Sequence, residues 1–432
     1  MTEPITRTMK VWRVRILGTT WLSYAGFYFC RKNYAIAKSS ILEALDISNS
    51  QLAHIFTAYL VAYMLGQFLT SFLGRRTAAR LLLLTGMGIT MLCNVLFGFT
   101  LLMGPAGYWP MVLFMVVNGF AQATGWPANV GVLSNWLKRR ERGKTMAVWA
   151  TSYQLGSILA KAFAAFMLGF LGATWSFWGA AVIMLGVWIL FLLFERDKPE
   201  DVGLPALVEE VEIEVPAGGE ERVVDDRGPP GLGWNRQIVT TIVMMGTTYF
   251  VFKFLRYALD SWSPLAIEEL FGLPPDRAGY ISTLFDWIGF LGVLAAGWVS
   301  DRFFRGRRYQ IILIMTLGMV LAFVFLAVVG VHSVWLFATG LALCGFMLMG
   351  PDSLLAGVGA IDVGGRNGAI VAAGIINGLG SIGPIFQEEI IGWILDHHGH
   401  DTAFFMLIGV SLLGIIGTVA LALRSRRGLS NL

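Results

Sequence analysis

The sequence predicts an all-α membrane protein of twelve transmembrane helices, arranged as two pseudo-symmetric six-helix halves. Three observations carry that reading. Of the 432 residues, 56% are hydrophobic and only 14% are charged, whereas soluble domains carry about 25% charged residues. Twelve apolar stretches reach the roughly 20 residues that a bilayer-spanning helix needs. Residues also recur at one fixed offset between the first six stretches and the last six.

The stretches lie near 11–30, 51–73, 80–103, 109–136, 143–170, 173–194, 237–261, 278–299, 309–330, 333–357, 366–395 and 402–423. Several exceed the thickness of the hydrocarbon core, which implies tilt or ends that project into water. The first follows Arg7, Lys10, Arg13 and Arg15 with no small-residue cleavage site, so it is expected to be kept rather than removed as a signal peptide. The second stretch ends at GRRTAAR, the fourth at KRRERGK, the eighth at DRFFRGRR and the twelfth at RSRR. Segment 195–236 is acid-rich and punctuated by Pro and Gly, and reads as a linker between an amino-terminal half, 1–194, and a carboxy-terminal half, 237–432.

Twelve crossings put both termini on one side. The loops and ends of that side hold 25 of the 32 Lys and Arg residues, against four (Arg31, Lys32, Lys38, Arg277) on the other. By the positive-inside rule the termini are expected in the cytoplasm. The basic residues thus follow topology and give no reason to expect a nucleic-acid partner. Cys30, Cys93 and Cys344 lie in three different apolar stretches, a pattern that suits packing and neither disulfides nor a metal site.

The repeat is specific in its spacing. Pro127 and Pro351, Arg142 and Arg366, and LGSI at 155–158 and 379–382 are all separated by 224 residues. Internal duplication of this kind marks transporters whose substrate sits near the midplane between two halves.

DRFFRGRR, and more weakly GRRTAAR, resemble the loop motif of the major facilitator superfamily. YAGFYFCRKNYAIA, FLRYALDSWSP, GFAQATGWP and KPEDVGLP resemble more specifically the organophosphate:phosphate antiporter family, over nearly the whole chain apart from the linker. That resemblance implies a carrier with the major facilitator fold exchanging an organic phosphate, of the sugar phosphate or glycerol phosphate type, for inorganic phosphate. It implies no enzyme and no cofactor, a monomer in a bacterial inner (plasma) membrane, and only the lipid bilayer as a further partner.

An ionisable side chain at the bilayer centre costs about 2.5 to 3.5 kcal/mol on insertion scales, so each one present needs a reason. Arg31 and Arg256 are separated by 225 residues, almost the repeat offset, and are expected on facing walls of one cavity. The planar fork of arginine suits a tetrahedral oxyanion. The resemblance gives both residues the role of phosphate ligands. The physical alternative for Arg31 alone is a helix-end arginine reaching back to the interface. Two bare arginines would repel one another in the empty cavity, and a bound phosphate would relieve that repulsion and let the halves rock together.

Tyr24, Tyr28 and Arg31 share one helical face, where the tyrosines serve either ligand or packing. Lys32 points about 100° away, as an auxiliary contact. Lys253, one turn before Arg256, is expected to grip a second part of the ligand. The family pattern carries a lysine in the second span, where this chain has Gln67, and often a histidine in the fifth, where it has Tyr153. Asp286 stands at the place of a family acidic residue, either in a permanent ion pair or released when ligand binds.

Lys161 is open between a cavity role and a place at the far interface. Asp352, Glu388 and Glu389 depart from the family pattern and are candidates for proton coupling or for contacts with a polar ligand body. A proton-coupled carrier of another organic anion, and a membrane sensor of sugar phosphate, are the rival readings. DHHGH at 396–400 resembles a metal-ligand set, but its place in a short loop favours solvation, and no metal is expected.

Overall fold

The computed structural model describes residues 7–73, 76–137, 139–205, 213–214, 222–223, 235–304 and 308–427. Most of the expected linker, together with Gly74, Arg75, Lys138 and residues 305–307 of the loop motifs, lies outside them; so do the side chains of 139–144, Asp301 and Arg366.

The first half runs α1 (Arg7–Ile36), α2 (Lys38–Leu45), α3 (Asn49–Leu73), α4 (Ala79–Leu102), α5 (Tyr108–Gln122), α6 (Gly125–Trp136), α7 (Arg139–Leu171) and α8 (Ala173–Phe194). The second runs α9 (Arg236–Phe271), α10 (Pro275–Phe303), α11 (Arg308–Val328), α12 (Val334–Ala356), α13 (Val358–His397) and α14 (Gly399–Arg426). Between them, Ile213–Glu214 pairs antiparallel with Arg222–Val223. With α5 and α6 counted as one interrupted crossing and α2 as a cap of 8 residues, too short to span, the helices make twelve crossings. Among the described residues nine helices are long and apolar enough to be recognised as spans by composition alone. The crossings that fall short include α1, which carries Arg31 and Lys32, and the α5/α6 pair, whose pieces are each too short.

Local chemistry sets the ends. The Asn235 side chain accepts a hydrogen bond from the Ile238 amide at 2.9 Å and starts α9, and Gly272, at φ 62°, ends it. Helix α1 continues six residues past the expected end at 30, because nothing in RKNYAI breaks a helix. Arg31 is therefore inside the helix rather than at its end.

The sequence repeat reappears as a repeated contact. In α7, a Cβ added at Gly156 would come within 3.0 Å of the Ala25 Cα on α1; in α13, one at Gly380 would meet the Tyr249 ring on α9 at 2.3 Å. Both members of each contact are 224 residues apart, so the same close helix crossing is built twice. Small residues permit such approach where lipid supplies no hydrophobic drive between helices.

The halves meet through α3 with α13 and through α7 with α10. On the side opposite the termini, the Asp396 carboxylate at the end of α13 accepts the Asn49 and Ser50 amides of α3 at 2.8 and 2.9 Å, capping a helix of the other half. His54 pairs with Glu389 at 2.7 Å, and Lys38 with Glu388 at 3.2 Å. Gly392 lies against α3 so closely that a Cβ would stand 2.7 Å from that of Ala53 and 2.8 Å from the Asn49 carbonyl oxygen. Towards the terminal side the halves separate, and Gly374 and Gly378 of α13 face open space. The molecule is thus closed opposite its termini.

On the terminal side the residues after α8 are pinned to the bundle. The Trp136 indole donates to the Arg196 carbonyl at 2.8 Å, and the Arg80 amide donates to the Asp197 carboxylate at 2.8 Å. KPEDVGLP then makes a 3₁₀ turn, Pro199–Val202, ended by Gly203 at φ 71°. Glu195 is buried beside Arg80 at 3.4 Å, and burial raises its carboxyl to about 8.

Candidate functional site

Two cations from the repeated first helices of the halves define the site. Arg31 on α1 donates through Nε to Gln122 Oε1 at 2.8 Å, and its guanidinium lies 5.0, 5.8 and 4.8 Å from the ring centres of Tyr28, Tyr59 and Tyr63. Cation–π contact and one neutral acceptor hold the charge without cancelling it. Its Nη2 is buried with no hydrogen-bond acceptor among the described residues. Gln122 is itself fixed, accepting from the Tyr59 hydroxyl at 3.0 Å and donating to the Cys30 carbonyl at 3.2 Å.

Arg256 on α9 sits differently. Its Nη1 donates to Asp352 Oδ2 on α12 at 2.9 Å, and its side chain remains 22% exposed, so solvent or ligand reaches it. The expectation of two bare arginines repelling in the empty site is therefore corrected for the second. A cation held in the interior is stabilised by the carboxylate beside it. Tyr28 and Tyr257 each lie within electrostatic reach of both guanidinium groups, which places the two arginines around one space.

Lys253 donates to Asn377 Oδ1 at 2.7 Å and Ser381 Oγ at 3.0 Å on α13, and stands 5.2 Å from the Tyr249 ring centre. It bonds neither Asp260 nor Asp286. Tyr153 is half-buried within reach of Arg256 and Asp352. Tyr24 is buried in a ring cluster with Tyr28, Trp126 and Trp149, at 5.7, 5.5 and 5.2 Å, a packing environment. Gln67 is half-buried on α3, one turn beyond Tyr63.

The remaining charges form a second layer towards the closed side. Lys161 is completely buried, neither lining the space around the arginines nor reaching an interface, and binds Asp260 at 2.6 Å and Asp286 at 2.7 Å. Lys32 also pairs with Asp260, and Ser157 donates to Asp286 at 3.1 Å. Since Lys32 and Lys161 belong to the first half and both carboxylates to the second, this quartet ties the halves together. Lys38, which the sequence places in a loop, is buried against Glu388 with its ammonium 3.2 Å from the Trp262 ring centre. Glu389 is instead partly exposed at the edge, with His54.

Gln122, Tyr59, Tyr63, Asn377 and Ser381 were not singled out by sequence reasoning. Tyr59 and Tyr63, spaced i and i+4 on an apolar helix, carried a readable signal; the neutral amides and hydroxyl did not. Of the histidines in DHHGH, His397 contacts the Trp393 carbonyl at 2.8 Å and His400 contacts Glu269 at 2.5 Å. Among the described residues no group of three or more potential ligands is placed to hold a metal.

Comparison with known proteins agrees with this architecture. The chain is 27% identical over 435 residues to a probable hexose phosphate transport protein of Chlamydia muridarum, covering 96% of this chain and 92% of that one. It is 29% identical to the glycerol-3-phosphate transporter of Bacillus subtilis, over 94% and 91% of the two chains. It is also 29% identical to the membrane sensor protein UhpC of Escherichia coli, over 93% and 90%. In fold it matches a bacterial homologue of the human lysosomal transporter Spinster, solved in an inward-facing, occupied conformation, with a TM-score of 0.70 at 12% identity over 96% and 97% of the chains. The Major Facilitator Superfamily profile matches residues 20–386 and 245–431. Twelve crossings in two repeated halves, a polar site between them and that match together establish that the chain belongs to the Major Facilitator Superfamily, as a transporter and not an enzyme.

Proposed function

We propose that the chain exchanges an organic phosphate, of the sugar phosphate or glycerol phosphate type, for inorganic phosphate by alternating access. It works as a monomer in the plasma membrane of a bacterium, with both termini in the cytoplasm. The observation that carries this reading is the pair of arginines. Arg31 and Arg256 come from corresponding helices of the two halves, share the space lined by Tyr28 and Tyr257, and retain donors for an oxyanion. The phosphate-transporting relatives support the same ligand class. An oxyanion gripped from both halves favours whichever arrangement brings the two arginines nearest, which couples binding to the rocking of the halves.

Counterflow in liposomes tests the proposal. Labelled phosphate inside should leave faster when inorganic phosphate or a phosphorylated three- to six-carbon compound is added outside. Efflux driven by a proton gradient without any counter-anion would point to the proton-coupled carrier, and tight binding without flux to a sensor.

A further inference from the structure

Among the described residues, six cations lie in the interior between the level of Arg31 and the closed side: Arg31, Lys32, Lys38, Lys161, Lys253 and Arg256. Four buried carboxylates face them. Lys32 and Lys161 share Asp260 and Asp286, Lys38 has Glu388, and Arg256 has Asp352. The cations bonded only to neutral groups are Arg31, on Gln122, and Lys253, on Asn377 and Ser381. The empty interior therefore carries two uncompensated positive charges. Asp352 is what keeps the number at two. Its Oδ1 is buried without a hydrogen-bond partner while Oδ2 holds Arg256, and its field also reaches Lys253.

We infer that Asp352 is a specificity-determining residue that sets the charge of the cargo, so that the Arg31–Arg256–Lys253 site selects divalent anions over trivalent ones. A low-dielectric site penalises any charge left over after binding. Two uncompensated cations match a fully ionised phosphate monoester, whose second proton leaves with a pKa of about 6. The inference deepens the phosphate reading and assigns Lys253 to the charge of the phosphate dianion, where the sequence suggested the organic part of the ligand.

The test uses the purified full-length protein, with affinities measured at pH values above both phosphate ionisations. Each valence is represented by a phosphate and by a carboxylate: glycerol phosphate and succinate for two charges, phosphoglycerate and citrate for three. The unaltered protein should prefer the divalent member of a pair. Asp352→Asn, which adds a third uncompensated cation with almost no change of shape, should raise the trivalent-to-divalent affinity ratio by at least about tenfold. Asp352→Asn combined with Lys253→Met returns the number to two and should restore the original preference. An unchanged ratio in Asp352→Asn that still binds, or a double variant that behaves as the single one, would overturn the inference. If only the carboxylates bind and their ratio shifts as stated, the valence inference stands and the phosphate reading falls. If the unaltered protein binds no member of either series, both fall.

Discussion

The closed side and the ligand site hold buried charge in opposite ways. At the closure Lys32, Lys38 and Lys161 all meet carboxylates of the other half, and the sites of contact are dry. At the ligand site Arg31 and Lys253 rest on amides, hydroxyls and rings, and Arg256 shares its carboxylate with open space. A charge that is already partnered stabilises an arrangement of helices. A charge held by neutral groups keeps its field for something that arrives later. The same residue types thus serve as fasteners in one layer and as receptors in the next, and the two should separate under mutation.

The largest effect is expected at Lys161. Lys161→Met leaves Asp260 and Asp286 with Lys32 as their only nearby cation, and stranding a buried carboxylate in this way costs about 3 to 5 kcal/mol. The unfolding midpoint should fall, and cross-linking between α3 and α13 across the closed side should weaken. Intact closure with lost ligand affinity would break the distinction between the layers.

Next come Arg31→Lys and Arg256→Lys, each of which keeps a charge but loses the fork. Each should cost about 2 to 3 kcal/mol of phosphate binding, the worth of charged hydrogen bonds, and abolish measurable exchange with little change in unfolding. Normal exchange in either variant would remove the arginines from the receptor layer. A large loss of stability in Arg31→Lys would move that residue to the fasteners.

Glu195 offers a smaller, pH-dependent case, because its partner Arg80 stands off at 3.4 Å and burial raises its carboxyl to about 8. Between the ordinary carboxylate range and that value the folded protein keeps a proton that the unfolded chain releases. Stability contributed by this group is therefore present at low pH and lost as pH rises through the window. Glu195→Gln should flatten that decline by about 1 kcal/mol, read from unfolding midpoints across the window. An identical pH profile in the variant would show that Arg80 holds the carboxylate ionised throughout.

Legibility in the sequence followed the same division. Arg31 and Arg256 were visible because a cation in an apolar run is costly, and because the repeat offset linked them. The twelve crossings were visible for the complementary reason, since apolar length is itself the requirement. The partners were not. Lys161 and Asp260 lie in different halves, and no spacing rule relates residues brought together only when the halves close. Lys38 was read as a loop residue because it follows the apolar stretch, yet α2 folds it back under Trp262. Gln122, Asn377 and Ser381 went unremarked because neutral polar residues are tolerated in membrane helices for many reasons, and only contact with a cation gives them meaning.

The fit at Gly392 has a mechanical consequence. With no side chain between α13 and the Asn49 carbonyl of α3, closure ends where backbone meets side chain and backbone, a hard stop and not a compressible cushion. Two rigid bodies that meet on such a stop have a sharply defined end to their travel. Every turn of the carrier must then bring α3 and α13 back to the same register, so the cycle runs between fixed limits like a latch and not along a gradual slope.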